Sequence, residues 1–141
     1  MTLYWMWPLL AIAAALPAAA APVYHGRVVA VTDGHSLVAL IDSRRTAVRI
    51  AEIEAPQGKQ RHAIGARQSL IAVCGGEPAR LEVRDTRADG TLVARVLCNG
   101  VDAGAEQVRR GMATVASREV APDASLSSLQ ADARAARRGL W

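Results

Sequence analysis

The chain has 141 residues, enough for one domain with a modest core. Its 17 Lys and Arg against 13 Asp and Glu leave a net charge of +4, a mild bias that suits a polyanionic partner without requiring one. Sixteen of the 17 basic residues are arginine, and no Phe occurs anywhere. Beyond residue 22 the only aromatic residues are Tyr24 and Trp141, which argues against the usual aromatic platform for stacking single-stranded bases.

No charged side chain precedes Arg27. Trp7 to Leu16 is an apolar run ended by Pro17, and Ala18-Ala19-Ala20 offers a small-x-small cleavage pattern. Residues 1–20 therefore read as a secretory signal peptide, with the mature chain beginning at Ala21 and residues 21–141 forming the domain. No Lys or Arg stands before the apolar run, and a retained membrane anchor is the alternative. The run is shorter than the ~20 residues that a spanning helix needs. Export implies a periplasmic or secreted protein, with no membrane contact in the mature form. Cys74 and Cys98 then read as a disulfide pair. Two buried free thiols are the alternative.

Gly26 to Val31 is β-branched and apolar, and Thr32-Asp33-Gly34 reads as a turn. Ser36 to Ile41 gives a second strand. Thr46 to Ile50 gives a third, with Val48 and Ile50 on one face and Arg49 on the other. Ala55-Pro56 opens a polar loop reaching about His62. Ile64 to Val73 has helical spacing and stops at Gly75-Gly76. Ala79, Leu81 and Val83 alternate with Arg80, Glu82 and Arg84, and Asp89-Gly90 turns the chain into a strand over 91–97. Ala105, Val108 and Met112 mark a short helix. Leu126, Leu129, Ala133, Ala136 and Leu140 mark a longer one, with Ser125 or Asp123 as N-cap and Gly139 near its end. Arg134, Arg137 and Arg138 lie off that stripe, as a solvated face or a phosphate-binding patch. The order of elements fits a small α+β domain on a five-stranded β-barrel with three helices.

Several segments resemble the staphylococcal-nuclease (thermonuclease) family. Residues 26–37, Gly-Arg-Val-Val-Ala-Val-Thr-Asp-Gly-His-Ser-Leu, resemble the family's opening strand and its Asp-Gly-Asp-Thr turn. Residues 48–57, Val-Arg-Ile-Ala-Glu-Ile-Glu-Ala-Pro-Gln, resemble its Val-Arg-Leu-x-Gly-Ile-Asp-Ala-Pro-Glu segment. Gly65-Ala66-Arg67, the stretch 101–113 and the terminal 135–141 are similar in order and spacing. The resemblance implies an OB-type barrel with three helices. It also implies a site in which acidic side chains bind calcium, a glutamate acts as base, and two arginines hold the scissile phosphate of DNA or RNA.

This chain departs from that pattern. Asp33 keeps the first carboxylate of the turn, although Asp-Gly alone explains a turn. His35 replaces the second, and imidazole suits a transition metal better than calcium. Glu54 stands at the second ligand position in place of aspartate, and Gln57 at the base position cannot take a proton. Arg49 keeps the first phosphate-binding arginine. Aligning Gly90 and Ala94 puts Thr91 at the second arginine and Asp89 at a tyrosine; Arg87 can substitute only if the hairpin shifts register. The segment 113–119, with Ser117 and Glu119, lacks tyrosines that would stack on a base. The expectation is a monomeric binding module for nucleic acid or a protein partner, with nuclease activity lost or strongly reduced. Its rivals are a phosphodiesterase using a transition metal at Asp33, His35 and Glu54, and a structural cell-envelope domain.

Overall fold

A computed structural model describes residues 13–15, 21–116 and 124–141. The expected signal peptide falls outside these residues except for Ala13 to Ala15, and Ser117, Glu119 and Asp123 fall outside them too.

Strand β1 (Val23–Asp33) pairs antiparallel with β2 (Ser36–Ile41), and β2 with β3 (Arg44–Ile50). The β2–β3 turn is made by Asp42 and Ser43, both at positive φ, as the twist of a two-residue hairpin loop demands. The other edge of β1 pairs with β5 (Pro78–Thr86), which pairs with β6 (Leu92–Cys98). The first strand starts earlier than its apolar pattern suggests. Register irregularities between Val28 and Ala30 and between Val31 and Asp33 bend it, so one strand serves two neighbours. Parallel pairing of β3 with β6, Val48 to Leu92, Arg49 to Val93 and Ile50 to Ala94, closes the barrel.

Three short strands were not expected. β4 (Ile53–Glu54) pairs with β8 (Thr114–Val115), and β7 (Val101–Asp102) extends the edge of β6. Two-residue strands carry too little periodicity to stand out in a sequence. The helices are α1 (Ala63–Cys74), α2 (Ala103–Arg109) and α3 (Ala124–Ala135). Asp102 caps α2 by accepting from the Ala105 N–H at 3.1 Å. Ser125 is not a cap: it is the second residue of α3.

The last helix stops at Ala135, short of Leu140. Arg137 adopts a left-handed φ of 52°, and the Arg138 and Arg137 N–H groups return to the Ala133 and Arg134 carbonyls at 3.0 and 3.1 Å. This double closure satisfies the helix end. The tail then packs back: the Leu140 N–H donates to the Gly111 carbonyl, Arg138 Nη1 to the Arg109 carbonyl, and Arg134 lies 4.8 Å over the Trp141 ring. Two of the three C-terminal arginines therefore hold the tail.

Alternation sorts the barrel residues. Ala79, Leu81 and Val83 point inward with Leu37, Val48, Ile50, Ala94 and Val96, while Arg80 and Arg84 are exposed. Among the described residues the buried set contains no Phe, Tyr or Trp and many alanines, so each residue removes little apolar surface from water. A covalent staple compensates. Cys74 at the end of α1 and Cys98 at the end of β6 form a disulfide, with Cα atoms 5.1 Å apart and both residues fully buried. It bolts the helix to the barrel wall across a sequence separation of 24. Closing a loop of this size stabilises the fold by roughly 3–4 kcal/mol in the chain-entropy model. The reduced protein is expected to unfold in urea with a free energy lower by about that amount; coincident oxidised and reduced curves would contradict it.

Candidate functional site

The turn between β1 and β2 and the segment from Arg49 to Gln57 meet on one side of the barrel. Four of the residues singled out in the sequence come together there: Asp33, His35, Arg49 and Glu54. The His35 imidazole is 2% exposed. Its Nδ1 accepts the Ala55 N–H at 2.7 Å, and its Nε2 faces Asp33 Oδ1 at 3.7 Å. A ring nitrogen that accepts an N–H must offer a lone pair, so the neutral ring carries its proton on Nε2. Asp33 is engaged locally, its Oδ1 accepting the His35 N–H at 2.8 Å. The His35 carbonyl accepts the Ile50 N–H at 2.8 Å, tying the turn to the end of β3.

Burial pushes the His35 pKa below its ordinary value, with the Arg49 charge acting in the same direction; Asp33 and Glu54 oppose them. Arg49 is half-buried, and its Nη2 donates to the Ile53 carbonyl at 3.3 Å. Glu54 is exposed on β4. Gln57 is also exposed, its backbone N–H bonded to Gln60 Oε1 at 2.9 Å.

Thr91 lies in the β5–β6 hairpin. Its N–H donates to Asp89 Oδ1, and its carbonyl accepts the Arg87 N–H, both at 2.9 Å. These turn contacts, the Thr91 N–H foremost, hold the Asp89 carboxyl below the usual range. Thr91 stands two residues before Val93, the partner of Arg49 across the barrel seam. Arg87 is exposed on the opposite side of the same turn.

One residue of this region escaped the sequence reading. Gln107 of α2 is 0% exposed, and its Nε2 donates to the Gly34 carbonyl at 2.8 Å and the Ala66 carbonyl at 3.0 Å. A single amide thus joins the β1–β2 turn, α1 and α2. Its Oε1 has no partner in the structure. A Gln on the same buried face of α2 as Ala103, Gly104 and Val108 was the available signal, since a buried amide is kept only where it meets partners.

A family model described as staphylococcal nuclease homologue matches residues 47–141. The chain belongs to this nuclease family. The matched stretch contains Arg49, Glu54, Gln57, Thr91 and both cysteines, while Asp33 and His35 precede it. Proteins named "Uncharacterized endonuclease" from Escherichia coli O157:H7 and from Escherichia coli are each 28% identical over 118 residues, covering 83% of this chain and 76% of their own. A protein named ParB from Escherichia coli is 29% identical over 126 residues, covering 82% of this chain and 71% of its own.

The calcium used by active members of this family is a poor match to the donors present. Calcium takes about six to eight oxygens, several of them carboxylate. Here an imidazole holds one ligand position, with Nδ1 already committed to a backbone N–H. Asp33 is engaged by its own turn, and Glu54 faces solvent. Among the described residues, no group of three His, Cys, Asp or Glu side chains is arranged to hold a metal ion.

The buried histidine has a consequence for stability. Its pKa is lower folded than unfolded, so the unfolded chain takes up a proton first as the pH falls. The contribution is fully present above the unfolded value of about 6.5 and is lost as pH falls toward the folded value. Urea unfolding between about pH 7.5 and 5.5 should therefore show stability declining with acidification, and the decline should be shallower in His35→Gln. Equal slopes in the two proteins would remove His35 as the source.

Proposed function

We propose that this nuclease-family domain binds nucleic acid through Arg49 and does not hydrolyse it with calcium. The observation that carries the reading is the His35 ring, buried and hydrogen-bonded to Ala55 where the family resemblance calls for a metal-binding carboxylate. Gln57 at the base position supplies an amide, which orients water but does not accept its proton. Thr91 leaves Arg49 as the one arginine aligned with the family's phosphate-holding pair, and losing such a donor typically costs ~10²–10³ in rate. Groups that act as a unit do not contribute additively, so three replacements leave little turnover. Arg49, half-buried beside the barrel seam, keeps a fixed positive charge for a phosphate.

Assayed with calcium, the purified protein is expected to release no nucleotides from DNA or RNA above a blank. Single-stranded DNA should nevertheless bind in a salt-dependent way, and Arg49→Ala should lower the salt slope by about one unit. Absence of binding at low salt would sink the reading. The endonuclease name of two relatives favours a second reading: hydrolysis with a transition metal at Asp33, His35 and Glu54, which would have to rearrange from their present positions to hold it. Manganese- or zinc-dependent turnover that disappears in both His35→Ala and Arg49→Ala would establish it.

We further infer that the domain acts after export, with residues 1–20 removed as a signal peptide. The buried Cys74–Cys98 disulfide suits an oxidising compartment. Among the described residues, no helix is long and apolar enough to cross a membrane. Intact mass of the native protein should correspond to a chain beginning at Ala21; a mass retaining the apolar run would overturn cleavage.

A further inference from the structure

The Arg49 cluster has a neighbour in which Arg67, given no role by the family resemblance, stands beside Asp33 and Gln57. Between the Asp33–Gly34 turn and the start of α1 lies a cleft of about 180 Å³, lined by Asp33, Pro56, Gln57, Ile64 and Arg67 among others. Asp33 stands at its edge, next to His35 and hence to the Arg49 site. The Arg67 Nε donates to the Val31 carbonyl at 3.0 Å. That bond fixes the guanidinium at the cleft while leaving its remaining N–H groups available.

Apart from the Asp33 carboxylate, which its own turn engages, the charged side chains of this flank are basic. Between Glu54 and Glu77 the sequence holds no acidic residue, yet carries Lys59, Arg61 and Arg67. Among the described residues no carboxylate pairs with any of the three. Exposed arginines elsewhere divide: Arg84, Arg95 and Arg109 each have an acidic partner, while Arg44 and Arg45 on β3 pair with no carboxylate among the described residues. Ile64 on the cleft rim is 74% exposed, an apolar surface beside the unpaired cations. A chain of alternating phosphates and apolar sugar edges matches this combination better than an isolated anion does.

We propose that this cleft is a second phosphate subsite, in which Arg67 holds the phosphate adjacent to the one at Arg49 on the same nucleic-acid strand, with Ile64 against the intervening sugar. Lys59 and Arg61 continue the positive track outward. The subsite rests on the reading of Arg49 as a phosphate-binding residue, and the two are separable by ligand length. A mononucleotide occupies the Arg49 position alone, whereas an oligonucleotide spans both.

The test is salt-dependent binding of thymidine 5′-phosphate and of a short oligothymidylate to the wild type, Arg49→Ala, Arg67→Ala and Ile64→Ser. Arg67→Ala should lower the oligonucleotide salt slope by about one unit and its affinity several-fold, and leave the mononucleotide unchanged. Ile64→Ser should weaken the oligonucleotide without altering the slope. Arg49→Ala should weaken both ligands. If wild type and Arg49→Ala bind equally, the Arg49 reading fails. If Arg49→Ala weakens binding while Arg67→Ala leaves the oligonucleotide slope unchanged, only the second subsite fails. Should Arg67→Ala unfold through loss of the Val31 bond, the exposed pair Lys59→Gln, Arg61→Gln replaces it. An unchanged slope in that pair would then overturn the proposed track.

Discussion

Gly34 has no room for a side chain. A Cβ built there would stand 2.6 Å from the Ala66 Cβ and 2.8 Å from the Ala55 Cβ, so the β1–β2 turn, the 53–57 segment and α1 meet at van der Waals limits. The Gly34 carbonyl accepts from Gln107, which brings α2 into the same junction. Three consequences follow from one close approach. The Asp33 carboxylate is held at the mouth of the cleft, the His35 ring is driven into the interior, and the helical layer is locked to the barrel. A larger residue at position 34 would separate these parts together.

Burial of His35 changes the chemistry that the site can support. An imidazole sealed against the Ala55 N–H and beside the positive Arg49 is held neutral, and a neutral ring leaves less negative charge than the carboxylate it replaces. Positive potential from Arg49 is then less compensated, which favours an anion over a hard cation. On the proposed reading, an imidazole at this position disfavours calcium and suits a phosphate at Arg49.

Among the described residues the core also lacks the large rings of Phe, Tyr and Trp that usually fill small cores. Alanines at positions 39, 66, 79, 94, 103, 113 and 133 allow close approach of backbone elements, and dense contact among small groups replaces bulk. Such a core gains less from the hydrophobic effect, and the disulfide joins two of its layers where the hydrogen-bond ladder does not reach. The charged side chains outside the barrel, Arg80, Glu82, Arg95 and Asp102, form a ladder of partly exposed ion pairs; these orient the wall more than they stabilise it.

The five barrel strands and three helices were legible in the sequence because each has enough residues to show a period: Ala79, Leu81 and Val83 alternate, and Leu70 and Cys74 recur at helical spacing. The cysteine pair was readable for a different reason, since the apolar leader reads as an export signal and two cysteines in an oxidising compartment have few other fates. The order of motifs also named the positions at Asp33, Arg49 and Glu54. The environment of those positions was not in the order. His35 reads as a replaced metal ligand in a turn, and only the Ala55 N–H, twenty residues on, shows its ring sealed into the interior. Gln107 meets acceptors 73 and 41 residues away. The early end of α3 comes from the return of its tail onto Gly111. Local periodicity records which way a side chain faces. Burial, hydrogen-bond partners and charge balance arise where distant segments converge, and barrel closure alone brings those segments within reach.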